Sequence, residues 1–181
     1  MSGSVGDNTA RASGVVASAG GGGKIISQEY KGWDTVSSVN AGAYGNFSDV
    51  GNASHSITPT AENSSILISC IIVSGANGDG TFRIQGDIAG GGYNVIFQGA
   101  SSGSRTRGTV TCNPPGNADI KALNGPFLWT PSYTLTDVLT VKFQISGGNP
   151  GSRYLNRCYS PTDAAYAYTG YSSIVLQEIG A

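Results

Sequence analysis

The chain has 181 residues, 28 of them glycine, and only 12 % of its residues are charged. That charged fraction is roughly half of what soluble domains usually carry, so the chain has too few Lys, Glu, Arg and Asp residues to cover several helices. No apolar run approaches the ~18 residues that a membrane-spanning helix requires. The composition therefore predicts an all-β protein that does not insert into a membrane.

Residues 1–23 are rich in glycine, serine and alanine, and they contain one short apolar pair, Val15 and Val16. Such a segment cannot bury enough apolar surface to offset the entropy lost on ordering. We predict a flexible N-terminal arm that docks on a partner through these two valines. Glycines 20–23 allow free backbone rotation, so we place the boundary with a domain over residues 24–181 there. The N-terminus lacks a secretory signal pattern, which predicts synthesis in the cytoplasm.

The first part of the domain predicts one strand followed by a loop. Residues 24–30 have the composition of a strand, whereas residues 40–59 are rich in Gly, Asn, Ser and Ala. Those residue types favour turns, so we predict a long surface loop that includes at most a short strand. His55, the one histidine of the chain, lies in this region, and we expect its side chain to be solvated.

The next strand, over residues 65–74, is apolar on both faces. One face carries Ile66, Ile68, Cys70 and Ile72, and the other carries Leu67, Ile71 and Val73. A strand of this kind is covered on both sides. We expect the opposite sheet to cover one face, with Cys70 as a small core residue, and a three-fold related copy of the chain to cover the other.

Further strands follow at intervals of ~8–12 residues, separated by Gly-rich turns, and the total of about eight to ten is typical of a β-sandwich or barrel. Residues 81–88 place Phe82, Ile84 and Ile88 on the inner side, and residues 138–145 alternate most regularly of all. Shorter strands are predicted over residues 93–98, 127–130, 152–158 and 171–179. A further strand is predicted to follow the turn at residues 101–107 and to end at residue 112. We predict a jelly-roll-like sandwich of two sheets.

No group of residues has the spacing of a catalytic or metal site. A catalytic triad would have to use His55, and no nucleophile motif surrounds it. Cys70, Cys112 and Cys158 are odd in number and widely spaced, which predicts neither a zinc site nor a disulfide framework and leaves one disulfide with one free thiol open. Asp79, Asp87 or Asp163 could contribute to a Ca²⁺ site, although no Asp-x-Asp-x-Asp spacing occurs. We therefore predict no enzyme activity, cofactor or metal.

The basic residues form no continuous patch. Arg105 and Arg107 are one local pair, and Arg153 and Arg157 are the other. We expect both pairs to be solvated residues of strands or loops. Since the formal net charge is −1, nucleic acid is excluded as a partner.

Tyrosine is concentrated near the C-terminus. Five lie within eighteen residues: Tyr154, Tyr159, Tyr166, Tyr168 and Tyr171. Tyrosine is enriched at subunit interfaces, and it also offers a flat amphipathic face on which a sugar can stack. We favour a trimer interface and keep a receptor or sugar-binding surface as the alternative.

Two short motifs in this region carry a resemblance to a known family. Residues 154–157 read Tyr-Leu-Asn-Arg, and residues 170–179 read Gly-Tyr-Ser-Ser-Ile-Val-Leu-Gln-Glu-Ile. Together they resemble the closing segment of small jelly-roll virion proteins of tailed phages. The sequence departs from the pattern at Cys158, where serine is usual, and at residues 161–163, which keep one acid.

The resemblance implies a homotrimeric jelly roll on the exterior of a virion. Its class would be a tail-fibre head, a head fibre or a capsid decoration protein. The partners implied are further copies of the chain and other virion proteins of the capsid or tail. The alternative within the family is a tail-fibre tip module that binds a host receptor or a host surface glycan.

Overall fold

The computed structural model describes residues 23–75, 79–112, 121–147, 151–160, 165 and 167–180. Within these ranges the chain forms twelve strands and no helix, arranged as two antiparallel sheets. The predicted all-β sandwich is confirmed. No described segment has the helical length and hydropathy needed to cross a bilayer. The predicted arm, apart from its last residue, lies outside the described residues, as do Val15 and Val16.

The strands are numbered in chain order. They are β1 (Ile25–Trp33), β2 (Ser37–Ala41), β3 (Ser48–Ile57), β4 (Ser65–Gly75), β5 (Gly80–Ile88), β6 (Asn94–Phe97), β7 (Val110–Cys112), β8 (Lys121–Asn124), β9 (Phe127–Trp129), β10 (Leu139–Gly147), β11 (Gly151–Leu155) and β12 (Ser172–Ile179). Sheet 1 has the order β1-β12-β4-β11-β2, and β8 and β9 also pair with β4. Sheet 2 has the order β3-β10-β5-β6, and β7 also pairs with β5.

The strand pairs are nested along the chain. β1 pairs with β12, β2 with β11, and β3 with β10. Inside these, β4 pairs with β8 and β9, and β5 pairs with β6 and β7. The chain is therefore one long antiparallel ribbon, and its inner pairs lie alternately in sheet 2, sheet 1 and sheet 2.

The core lies between the two sheets and is built from alternate residues of the central strands. The fully buried members include Ile66, Ile68 and Ile72 of β4, Phe82 and Ile84 of β5, Leu139, Val141 and Phe143 of β10, and Ile174 and Leu176 of β12. Burial of each such side chain contributes roughly 1.5–3 kcal/mol relative to exposure. The predicted inner faces of β5 and β10 are thus confirmed, except that Ile88 is only partly buried.

The loop predicted over residues 40–59 is wrong, because β3 occupies ten of these residues. Its inward residues, Val50, Ala53 and Ile57, are buried, but a register shift against β10 and a positive φ of 61° at Asn52 interrupt their alternation. A β-bulge of this kind conceals the two-residue period in the sequence. The short strands β2 and β8 were likewise not predicted.

Two charged or titratable residues are less exposed than the sequence suggested. His55 lies in β3 opposite Val141 and not in a solvated loop. Burial lowers the pKa of its imidazole, the Glu29 carboxylate opposes this, and the Lys31 ammonium adds to it. Arg153 is 2 % exposed, so its predicted solvation is wrong. Gly147 leaves room for the guanidinium, since a Cβ there would lie 1.9 Å from Nη2 of Arg153.

Cys70 is a core residue, as predicted, with 5 % of its surface exposed. Cys70 and Cys158 are both free thiols, so neither supplies the disulfide that the sequence left open. The side chain of Cys112 lies outside the described part of the chain.

Burial raises the pKa of the Cys70 thiol to about 12. Because the thiolate is the nucleophile, we expect iodoacetamide to leave Cys70 unmodified in the folded protein at mildly alkaline pH. Peptide mass mapping checks this, with protein unfolded in guanidinium as the control that should be fully alkylated. Rapid alkylation of Cys70 in the folded protein would show that β4 is not packed as described.

Candidate interaction surface

The outer face of sheet 1 is the side of that sheet turned away from the core. The strand registers align Tyr30, Val175 and Ser69 across β1, β12 and β4, and they place Leu67 opposite Leu128 of β9. Several of these large side chains are accessible: Tyr30 is 57 % exposed, Leu128 55 % and Ile71 47 %. The face therefore presents exposed apolar side chains to solvent among uncharged polar ones.

This outer face carries no charge across its centre. The outward positions there are Gln28, Tyr30 and Gly32 of β1, Ser173, Val175 and Gln177 of β12, Leu67, Ser69 and Ile71 of β4, and Leu128 of β9. The neighbouring Glu29 pairs with Leu176 and Lys31 pairs with Ile174, whose side chains are buried. The charged side chains of β1 are therefore turned towards the interior side of the sheet, which is one way to protect a free edge strand from pairing.

The outer face of sheet 2 is polar by contrast. Arg83 donates to Gln144 Oε1 over 2.9 Å from Nε, and Lys142 forms a 3.0 Å salt bridge with Asp49. Burial raises the pKa of Asp49, but hydrogen bonds from Gln144 and Lys142 outweigh it and hold the pKa below its usual value. The guanidinium of Arg83 also lies 4.0 Å from the ring centroid of Phe47. The two faces of the sandwich thus differ in chemistry.

The structure places three of the four described tyrosines of the predicted site in two groups. Tyr154 and Tyr159 meet edge to face with 5.8 Å between ring centroids, and the guanidinium of Arg157 lies 4.0 Å from the Tyr154 ring. Tyr171 is 51 % exposed, and its hydroxyl lies 3.0 Å from that of Tyr30 on the apolar face. This hydrogen bond raises the pKa of Tyr171.

Of the remaining two tyrosines, only Tyr168 belongs to the described residues. Tyr168 is 54 % exposed, and its carbonyl accepts a 2.9 Å hydrogen bond from the Cys158 amide. Tyr166 lies outside the described residues. The described part of the predicted site is therefore one pair with an arginine, one tyrosine joined to Tyr30, and one exposed tyrosine between them in sequence.

Asn156 holds the end of β11, next to these tyrosines, in place through hydrogen bonds. It is fully buried and adopts a positive φ of 58°. Its side-chain amide donates to the carbonyls of Trp33 and Thr35 over 3.0 and 3.2 Å, and it accepts from Ser172 Oγ over 2.5 Å. Its backbone also joins Val73 and Gly170. The sequence marked this residue only as part of the Tyr154–Arg157 motif.

We expect Asn156→Ala to lower the free energy of unfolding by about 2 kcal/mol, because two backbone carbonyls and one hydroxyl lose a buried partner. Asparagine also tolerates the positive φ better than alanine does. Urea denaturation checks this, with Asn94→Ala as the control, since Asn94 is exposed and makes one 3.3 Å side-chain hydrogen bond. Equal effects of the two substitutions would contradict a stabilising role of the Asn156 hydrogen bonds.

Metal-ligating side chains do not cluster in the described part of the chain. No group there brings together three or more His, Cys, Asp or Glu side chains. Asp87, one candidate for Ca²⁺, accepts hydrogen bonds from the Gly90 and Gly92 amides and so closes its own turn. Asp79 lies beside Tyr44, and Asp163 is outside the described residues.

Comparisons with known proteins give likenesses to solved structures but no match by sequence. No family model matches the chain, and no curated protein matches it. A chain from the "Structure of infectious bursal disease virus Gx strain" aligns at 12 % identity with a TM-score of 0.36, covering 87 % of this chain and 37 % of that one. This chain therefore spans little more than a third of the length of that viral chain, and no functional inference follows from a likeness of this degree.

Proposed function

We propose that the chain is a non-enzymatic structural protein of a phage virion, made in the host cytoplasm and assembled on the virion exterior. It forms a homotrimeric jelly roll that is anchored by its N-terminal arm. It serves as a capsid decoration protein or as a short head or tail fibre. The phage-like motifs in residues 154–179 support the family. The nested strand pairs support the jelly roll, an architecture common in viral capsid proteins. The observation that carries the proposal is the exposed, uncharged outer face of sheet 1.

That face is suited to a second copy of the same chain. Exposed apolar side chains that lie together mark protein contacts more often than isolated ones do, and interface cores are depleted of charged residues. Because the centre of the face is uncharged, identical copies meet there without like-charge repulsion. In a closed three-fold arrangement this face would turn towards the axis, and each copy would make the same two contacts with its neighbours. The hydroxyls of Tyr30 and Tyr171 are hydrogen-bonded to each other. Neither hydroxyl therefore needs a partner on the second copy, and the two rings can contribute apolar area to the contact.

The arm would attach the assembly to the particle. We propose that Val15 and Val16 dock on a capsid or tail protein and that residues 1–23 become ordered on binding. Removing these residues should leave a folded β domain, because the described strands begin at Ile25. The truncated protein should no longer join the virion of the phage that encodes it. Unchanged incorporation would contradict the docking role.

Quantitative mass spectrometry of purified particles tests the virion assignment itself. We expect peptides of this chain in the particles, in many copies for a decoration protein and in few for a fibre. Their absence from purified, infectious particles would overturn the proposal.

The second candidate is a tail-fibre tip module that binds a host receptor or host surface glycan through the tyrosines. The exposure of Tyr168 and Tyr171 favours it, because an exposed aromatic ring can stack on a sugar. Glycan-array binding that disappears in Tyr166→Ala and Tyr168→Ala variants would favour this candidate. Binding that is unaffected by both substitutions would exclude Tyr166 and Tyr168 as the receptor site.

A further inference from the structure

A pocket of about 480 Å³ opens on the sheet 2 side of the sandwich, and neither the motifs nor the proposed assembly uses it. Its lining includes Tyr44, Asp79, Thr81, Arg105, Thr106 and Thr111. The volume is within the range of ~300–1,000 Å³ that small-molecule sites occupy. β5 and β7 supply the floor, where Thr81 and Thr111 are directly paired.

One wall of the pocket is the loop between β6 and β7, and its position is fixed by close backbone packing. A Cβ at Gly108 would lie 2.0 Å from Cγ2 of Thr81, so only glycine permits this approach to β5. The Thr109 amide donates to the Phe82 carbonyl over 2.7 Å. Within the loop, Nη1 of Arg105 donates to Ser102 Oγ over 2.7 Å. The guanidinium at the rim is therefore oriented before any ligand arrives.

The opposite wall consists of Tyr44 and Asp79, and a buried arginine supports it. Nη2 of Arg153 donates to the Asp79 carbonyl over 3.1 Å, and Gly147 makes room for that guanidinium. Burying an arginine is costly unless it is well satisfied, and the Asp79 carbonyl is one acceptor that satisfies it. The Tyr44 hydroxyl approaches Asp79 Oδ2 at 3.4 Å, and the ring is 60 % exposed.

We propose that this pocket binds a neutral saccharide of one or two sugar units. An exposed tyrosine ring gives a stacking platform for the apolar face of a sugar. A carboxylate, a guanidinium and three threonine hydroxyls provide both acceptors and donors for sugar hydroxyls. The Asp79 and Arg105 charges cancel, so the lining has no net charge that would favour an anionic or a cationic ligand over a neutral one.

The pocket and the proposed assembly surface lie on opposite sides of the sandwich. Thr81 points away from the core on sheet 2, because its neighbour Phe82 is fully buried. Copies that meet through the outer face of sheet 1 would therefore leave the pocket open. The saccharide site does not depend on the proposed function, and a monomeric protein would carry it equally well.

A glycan array printed with neutral and acidic saccharides tests the proposal with the full chain. We expect binding to neutral saccharides, and we expect Tyr44→Ala and Asp79→Asn each to weaken it about tenfold, as loss of one stacking or polar contact of ~1.4 kcal/mol would do. Tyr168→Ala is the matched control, because it removes an exposed tyrosine from the other candidate surface. Unchanged thermal unfolding of all three variants shows that the fold is intact.

The outcomes separate the two surfaces. Binding lost in Tyr44→Ala and Asp79→Asn but kept in Tyr168→Ala supports the pocket. Binding lost only in Tyr168→Ala overturns the pocket and favours the tail-fibre tip module. Binding to acidic saccharides alone, or to no saccharide on the array, also overturns it, and neither result bears on whether the chain assembles as a trimer.

Discussion

Replacing Glu178 with glutamine is expected to lower the free energy of unfolding by about 3 kcal/mol or more. Glu178 is fully buried at an inward position of β12. Its carboxylate accepts from the Thr60 and Ala61 amides at 3.0 and 2.9 Å, and from the hydroxyls of Ser27, Thr60 and Ser64 at 2.8–3.0 Å. Glutamine has the same shape, but its amide nitrogen would face these donors with hydrogens of its own.

The same carboxylate makes the free energy of unfolding depend on pH in the acidic range. Burial raises the pKa of Glu178, but the hydrogen bonds from Thr60, Ser27 and Ala61 outweigh it and hold the pKa below the ordinary 4.5. The folded state therefore binds the proton less readily than the unfolded state. Its contribution to stability is fully present above the ordinary value and is lost as the pH falls through the lowered pKa.

Urea denaturation over a range of acidic and neutral pH checks both effects. We expect the wild-type protein to lose stability in acid more steeply than Glu178→Gln, which starts lower and lacks this titration. Glu29→Gln is the matched control. Glu29 lies on the same side of sheet 1 as Glu178, but it remains exposed because β1 is the edge strand, so its replacement should leave stability nearly unchanged. If Glu178→Gln were as stable as the wild-type protein at neutral pH, the stabilising role of the buried carboxylate would be contradicted.

The double substitution Ile71→Lys and Leu128→Lys is expected to convert the assembled protein into monomers. Ile71 and Leu128 are exposed in the single chain, so the two lysines should be tolerated by an isolated fold. In an assembly through the outer face of sheet 1, each copy would bury two unpaired ammonium groups. Burying an unpaired charge costs several kcal/mol, which is enough to shift an association equilibrium by orders of magnitude.

Light scattering coupled to size-exclusion chromatography measures this change, with circular dichroism to show that the variant remains folded. Val138→Lys is the control, because Val138 is 45 % exposed but precedes β10 in sheet 2. We expect the control to keep the mass of the wild-type protein. A double variant that also keeps the wild-type mass would place the contact elsewhere.

The sequence predicted those parts of the fold in which alternation is regular. β5 and β10 show a two-residue period in the sequence because one face of each strand packs in the core, whereas β4 was predicted from a run that is apolar on both faces. β3 was missed because its bulge at Asn52 breaks that period. Arg153 was misjudged because its burial depends on Gly147, a residue of another strand. Contacts of this kind depend on how distant strands meet, and no local pattern records them.

The candidate site was predictable to a similar extent. The two apolar faces of β4 indicated that its outer side needs a partner, and the tyrosines indicated the region near β11 and β12. The separation of the tyrosines into two groups follows from the pairing of β1 with β12, which brings Tyr30 to Tyr171. The stabilising roles of Asn156 and Glu178 also depend on partners far away in sequence. Glu178 could have been found, since it shares the inward alternation of Ile174 and Leu176.

Native mass spectrometry of the unmodified full-length protein tests most directly whether the uncharged sheet is a contact between copies. We predict a species of three times the 18.4 kDa chain mass, persisting on dilution to the concentrations at which the protein is handled. A single species of 18.4 kDa at every concentration would contradict self-assembly through that sheet, and with it the proposed role.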